Sequence, residues 1–523
     1  MPSLITLDGL AQSTPDGRVL FENLTLAFGR EKTGLVGRNG VGKTTLIRLI
    51  LGEQLPAAGA ITVAGRLAAL RQQLVPPPSA SIGELLGVTD SLARLARLET
   101  GSGRAGDLEA ADWSLRQRLE AALAEVGLAD VALDRPAETL SGGEATRAAL
   151  AALLIAQPDF ILMDEPTNNL DQDARAAVAE LLARWPGGAL VVSHDRRLLR
   201  RMDRIVELTS LGAQIYGGNY DLYVARKAEM EAAAARDLET AEQALARTDR
   251  RVQATAERQA RRNAAGRRKR AKGDAPKIML NAMAQRAQET GARNTRLAER
   301  MRAEAERDLA DAQARIERVR RLAFELPPSN LPAGKLVLAF EDVGFAWPDG
   351  TSVLREVSFR LTGPQRLAVT GPNGAGKTTL IGLAVGALAP TAGVVRRGVD
   401  AALLEDDQTL LENFRRLNPA ADANGAHAAL AKYVFRNVDA LKLACDLSGG
   451  ERLRAALACA LMAARPPQLI ILDEPTNHLD LNSIAAVEAA LAAYDGALLV
   501  VSHDRDFLEA VGVQQELRLA PLP

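Results

Sequence analysis

Short apolar runs, each closed by a glycine or an acidic residue, punctuate both ends of the 523-residue chain. KTGLVG (32–37), FILMD (160–164) and the apolar start of LVVSHDR (190–196) read as buried strands; LAVTG (367–371), LIILD (469–473) and LVVSHDR (499–505) repeat them. Longer stretches with helical composition follow some of them: TTLIRLILG and TTLIGLAVG, then ATRAALAALL and RLRAALACALM. Alternating strands and helices in the same order in both halves predict an α/β fold present twice. One interval differs, since Lys43 to Ser141 spans 98 residues and Lys377 to Ser448 spans 71. The first half therefore carries about 27 extra residues, placed by their glycines and helix-forming composition at about 87–120 and read as a surface insertion.

Residues 222–325 follow another pattern. Leu238, Leu245 and Val252 recur every seven residues, and Ala305, Leu309, Ala312, Ile316 and Val319 step by four and three. Each series places an apolar stripe along one helix, the coiled-coil signature. Between them lies AGRRKRAKGDAPK (265–277), where Gly266, Gly273 and Pro276 are expected to break the helix. The simplest solution is two antiparallel helices of about 40 residues, an arm of about 60 Å with a basic tip. This gives three segments: a first repeat at 1–221, a helical-hairpin linker at 222–325 and a second repeat at 326–523.

Charge sharpens this picture. The chain has a net charge of −1, yet residues 226–325 hold 25 Lys+Arg against 16 Asp+Glu, leaving 39 basic and 49 acidic residues elsewhere. A net +9 segment in an otherwise acidic chain points to a polyanionic partner. Two cysteines exclude a disulfide scaffold or a cysteine-ligated metal array. The opening MPSLITLDGL lacks a secretory pattern, and no apolar run reaches the length of a membrane span, so a cytoplasmic protein is expected.

Four motifs carry the chemistry, in matching order. GRNGVGKTT (37–45) and GPNGAGKTT (371–379) fit GxxxxGK[ST] between a strand and a helix. Their glycines (Gly37, Gly40, Gly42; Gly371, Gly374, Gly376) and Asn39 and Asn373 let backbone N–H groups close on phosphate. Lys43 and Lys377 would bridge the terminal phosphates, with Thr45 and Thr379 beside them, and Thr44 and Thr378 would hold Mg²⁺. FILMD and LIILD deliver Asp164 and Asp473 toward the same Mg²⁺. The next residues, Glu165 and Glu474, are placed to polarise an attacking water. His194 and His503 end the same strand of each repeat, 29 residues after those glutamates, and suit a γ-phosphate contact. LSGGE puts Ser141, Gly142 and Gly143, and again Ser448, Gly449 and Gly450, at predicted helix starts, a second kind of anion site. His427 reads as an exposed bystander.

Together these motifs resemble the ATP-binding cassette ATPases. Two cassettes, EPTNHLD and an Arg-rich helical linker of about 100 residues resemble the ABC-F family over almost the whole chain. The resemblance implies two P-loop NTPase cassettes, paired head to tail within one chain and joined by a coiled-coil hairpin. Two ATP–Mg²⁺ would be held between them, pairing Lys43 with Ser448 and Lys377 with Ser141. It further implies an adenine-stacking aromatic, matched by Trp347 in the second half but by Thr14 in the first. A phosphate-sensing, Mg²⁺-binding glutamine is matched by Gln72, with Asp406 or Gln408 in the second half. Asn169 stands where the second half has His478. The family's partner is the ribosome, its linker reaching rRNA and the P-site tRNA region. A basic hairpin would also suit branched DNA, and a transporter's ATPase subunit is a third, weaker reading.

Overall fold

The computed structural model describes residues 3–70, 80–140, 142–168, 170–272, 293, 296–311, 313, 328–399, 407–432, 435, 437–447, 449–461, 466–477 and 479–522. Gln72, Ser141, Asn169, Asp406, Ser448, His478 and the linker tip beyond Lys272 lie outside them.

In the first repeat, β1 (Ile5–Ser13), β2 (Val19–Phe28) and β4 (Ala58–Val63) form an antiparallel sheet ordered β2-β1-β4. A six-stranded sheet runs β5-β6-β7-β3-β8-β9 from β3 (Lys32–Gly37), β5 (Leu67–Leu70), β6 (Phe160–Asp164), β7 (Gly188–Val192), β8 (Arg204–Thr209) and β9 (Gly212–Gly217). All its pairings are parallel except β8/β9. β6 and β7 are buried at every position, as strands covered on both faces must be. Phe28, Leu35, Leu46, Phe160 and Leu190 pack the core between the two sheets and the helix Lys43–Ile50.

The second repeat copies this plan. β10 (Leu336–Ala346), β11 (Ser352–Thr362) and β13 (Ala392–Arg397) form the antiparallel sheet β11-β10-β13. β12 (Arg366–Thr370), β14 (Leu469–Asp473), β15 (Ala497–Val501) and β16 (Gln515–Arg518) form the parallel sheet β14-β15-β12-β16. In both repeats the strand before the P-loop lies next to the strand that ends at the histidine. The phosphate loop, the acidic pair and the histidine thus emerge at the same carboxyl edge, where open α/β sheets bind ligands.

Within 87–120, helix Thr89–Glu99 is followed by a loop and by helix Leu115–Glu125. Asp107 ties the loop down: it takes two hydrogen bonds from Arg97 (3.0 and 2.9 Å) and one from the Arg104 N–H (2.9 Å). Those bonds, Arg97 foremost, hold its carboxyl at about 2.

Residues Met1–Tyr220 and Arg321–Pro523 form one unit, and Asp221–Arg320 a second. The second contains most of a single helix, Tyr220–Lys272, 53 residues and about 80 Å long. It runs through Gly266, so the expected break there does not occur and the helix exceeds the expected 40 residues. One glycine costs only about 1 kcal/mol, which a long run of Ala, Arg and Glu tolerates. Ala234, Leu238, Ala241, Leu245, Thr248 and Val252 are among its sheltered positions, spaced four and three. Alanines complete the seam that the sequence showed only at its leucines and valine. In the helical stretch 296–311, Ala305 is buried and Arg302 pairs with Asp249 at 3.3 Å, joining the two helices. Ala312, Ile316 and Val319 fall outside the described residues.

Candidate nucleotide sites

Each P-loop wraps backbone around its lysine. Gly37 and Gly371 adopt φ of 149° and 143°, and a Cβ at either would come within 2.4 Å of a carbonyl oxygen of the neighbouring strand segment. Only glycine fits there. Lys43 is buried, donating to the carbonyls of Gly37 (2.7 Å) and Arg38 (3.1 Å). Lys377 does the same with Gly371 (2.7 Å) and Pro372 (3.1 Å), and also donates to His503 Nε2 at 3.0 Å. An ammonium can only donate, so Nε2 accepts and the proton of neutral His503 sits on Nδ1. Burial lowers both lysine pKa values, opposed by nearby carboxylates, Glu165 at the first site and Glu474 at the second. A buried cation bonded to neutral oxygens is suited to an anion.

Asp473 accepts from the Thr378 hydroxyl at 3.0 Å, and Asp164 is bonded by Thr44 in the same way. A hydroxyl and a carboxylate are hard oxygen donors, fitting Mg²⁺ that keeps most of its ligands as water and phosphate. Among the described residues no cluster of three or more His, Cys, Asp or Glu offers a site to a softer metal.

The two glutamates are the strained points. Glu165 and Glu474 have φ of 49° and 44°, in the left-handed region. Each is pinned by its N–H to the carbonyl of the adjacent strand, Val192 or Val501, at 2.9 Å. Side chains seldom adopt such a backbone unless the surroundings enforce it, and enforced strain gathers at active sites. His194 Nε2 approaches Glu165 Oε1 at 3.2 Å, and His503 Nε2 approaches Glu474 Oε1 at 3.5 Å, neither as a hydrogen bond. Both ring nitrogens of His194 and both carboxyl oxygens of Glu474 are buried without a hydrogen-bond partner among the described residues. Such orphans call for a partner from outside the chain, and a terminal phosphate with its attacking water would supply one. A cavity of about 590 Å³ lies in front of them in the first half, lined by Thr14, Asn39, Gly40, Lys43, Thr44, Thr45 and Asp164.

Burial pushes the Glu165 carboxyl up to about 8 and Glu474 to about 7, and pushes His194 down to about 3 and His503 to about 4. A base acts deprotonated, so kcat/KM for ATP is expected to rise with pH along a limb near 7–8. Glu165→Gln should leave the limb near 7 and Glu474→Gln should leave it near 8. A flat profile from pH 6 to 9 in steady-state assays would contradict this. Neither histidine becomes charged in that range.

The structure joins each P-loop to the opposite repeat through two residues that motif reading passed over. Asp480 caps helix Leu481–Ala493, one carboxyl oxygen taking the Ser483 N–H (2.8 Å) and the other the Asn39 N–H of the first P-loop (3.0 Å). Asp171 divides its oxygens between Ala174 N–H (3.0 Å) and Asn373 N–H (3.4 Å). Both aspartates end the repeated NLD and HLD segments, the signal that could have found them. Arg18 was likewise unanticipated; its guanidinium donates to the Gly40 carbonyl.

Trp347 lies 43 % exposed, its ring perpendicular to that of Phe345 with the ring centres 5.0 Å apart. Gly142–Ala156 and Gly449–Leu461 are helices, so Gly142, Gly143, Gly449 and Gly450 do open them. The Gln408 side chain accepts from Arg416 at 3.2 Å. His427 is half-buried in helix Ala423–Lys432 rather than exposed.

Residues 22–168 and 354–477 match the ABC transporter family. The chain is 33 % identical to the tylosin resistance ATP-binding protein TlrC of Streptomyces fradiae, over 96 % of this chain and 95 % of that protein. It is 32 % identical to the ATP-binding protein Uup of Haemophilus influenzae, over 91 % of this chain and 72 % of that protein. It is 31 % identical to the energy-dependent translational throttle protein EttA of Mycobacterium tuberculosis, over 94 % and 87 %. Among solved structures, an RNase-L inhibitor shares the fold with a TM-score of 0.59 at 19 % identity, over 99 % of this chain and 90 % of that one. Two repeated cassettes, each with its P-loop and acidic pair inside the matched residues, make this an ATP-binding, ATP-hydrolysing chain, and it belongs to the ABC-F family of tandem ATP-binding cassette proteins.

Proposed function

We propose that this chain is a ribosome-binding factor that modulates translation, ATP closing its two cassettes and hydrolysis releasing it. The observation that carries the nucleotide half of this reading is the reciprocal pair of contacts, Asp480 on Asn39 and Asp171 on Asn373. Each P-loop donates a backbone hydrogen bond to an aspartate of the opposite cassette, which supports two shared ATP–Mg²⁺ sites. Glu165 and Glu474 would activate water there, and His194 and His503 would contact the terminal phosphate. Ser448 and Ser141 would complete the sites from the opposite cassettes. Bound nucleotide would then favour the closed pair, and its loss the open one.

The ribosomal half rests on family membership, on the name of EttA as a translational throttle protein, and on the linker's excess of nine positive charges. A rigid helix with basic residues clustered at 267–270 suits RNA phosphate near the P-site tRNA. Among the described residues no helix is long and apolar enough to cross a membrane.

The test is cosedimentation of the full chain with purified 70S ribosomes in ATP, with branched DNA as competitor. Binding that survives physiological salt and is retained against DNA supports the reading; preference for DNA refutes it. Replacing Arg267, Arg268, Lys269 and Arg270 by glutamine should weaken ribosome binding and flatten its salt dependence, because fewer counterions are released. Basal ATPase activity should be unchanged.

A further inference from the structure

The two nucleotide sites are related by the repeat, but the ion pairs beside them are not. Arg196, two residues after His194, reaches Glu488 of the second cassette at 2.8 Å, with both side chains nearly buried. One turn along, Arg200 reaches Asp506 at 2.6 Å. Glu488 lies two turns beyond Asp480, the aspartate that holds Asn39. These pairs therefore join the same two walls that meet over the first P-loop. Tyr220 closes the cluster: the Arg200 guanidinium lies 6.0 Å from its ring centre, and Arg196, Glu488 and Asp506 all act on its hydroxyl.

The mirror positions cannot build this. Counting by the 309-residue repeat that relates Glu165 to Glu474, Arg196 corresponds to Arg505 but Glu488 corresponds to Ala179. Arg200 and Asp506 correspond to Glu509 and Arg197, and no ion pair between those two is found among the described residues. The wall beside Lys377 and Glu474 thus lacks the buried pair. A buried ion pair across an interface acts chiefly on the rate of separation.

We infer that Arg196 and Glu488 form a one-sided clasp, which makes the first nucleotide site the slower of the two to open. The inference rests on the reading of two shared sites; it does not involve the ribosome. Arg196 and Glu488 act through the closure of the walls, so they are positioning residues.

The test uses the full chain with Mg²⁺ and a fluorescent ATP analogue, displaced by excess unlabelled ATP. Glu165→Gln with Lys377→Ala confines intact nucleotide to the first site; Glu474→Gln with Lys43→Ala confines it to the second. Release from the first site should be roughly tenfold slower than from the second. Adding Glu488→Gln should speed first-site release roughly tenfold and change second-site release less than about twofold. Leaving Arg196 buried without its partner endangers the fold, so the exchange Arg196→Glu with Glu488→Arg provides the control: it should restore slow release. Equal release rates from the two sites, or equal acceleration of both by Glu488→Gln, would overturn the clasp. Failure of either form to retain nucleotide would refute the shared-site reading and the clasp with it. A chain that ignores ribosomes but shows the rate asymmetry would leave the clasp standing.

Discussion

Replacing Glu165 and Glu474 together by glutamine is expected to lower ATP turnover at least about 100-fold, equivalent to about 2.7 kcal/mol of transition-state stabilisation. Glutamine preserves the shape of each side chain and removes only its ability to take a proton. Both glutamates sit at strained backbone positions, pinned by N–H bonds to Val192 and Val501, and the two buried Glu474 carboxyl oxygens have no hydrogen-bond partner among the described residues. ATP binding should therefore survive the change while hydrolysis fails, leaving the cassettes closed. Under the proposed function, the double variant should accumulate on 70S ribosomes in sucrose gradients with ATP and inhibit translation in vitro. Wild-type turnover, measured as phosphate release, would remove these glutamates from the mechanism. Normal turnover loss without ribosome accumulation would separate the enzyme from its proposed partner.

The second large effect concerns the lysines. Lys43→Ala or Lys377→Ala is expected to weaken ATP binding at its own site roughly 10- to 100-fold, the loss of a charge-assisted hydrogen bond to phosphate. The change should not destabilise the nucleotide-free fold. Each ammonium is buried against main-chain carbonyls, and among the described residues no carboxylate is in salt-bridge contact with it, so removing it relieves a desolvation cost. The melting temperature without nucleotide should stay level or rise, and the rise that ATP confers should shrink. A large fall in the melting temperature of the nucleotide-free variant would show instead that these lysines are structural.

Much of this site was legible in the amino-acid sequence because phosphate chemistry constrains local sequence tightly. A loop that must turn under Leu208 or Leu519 with φ near 145° admits only glycine, so Gly37 and Gly371 stand out in any reading. The buried strands β6 and β14 have to be apolar throughout and end in the acidic pair, so FILMD and LIILD announced themselves. Heptad leucines marked the linker helix but misjudged its length. Gly266 looked like a stop, whereas the long helix that precedes it carries on through it to Lys272.

Short-range constraints can be read along the chain: two cassettes, their phosphate loops, their acidic pairs and histidines, and a basic helical segment between them. Each depends on residues within a few positions of one another. Which halves touch, and how, emerges only in the folded molecule. That Asp480 bonds to Asn39, 441 residues away, and that Arg196 finds Glu488, depend on how two cassettes dock. A hydrogen bond or ion pair needs atoms within about 3 Å, and residue spacing along a chain carries no such distance until the fold has closed.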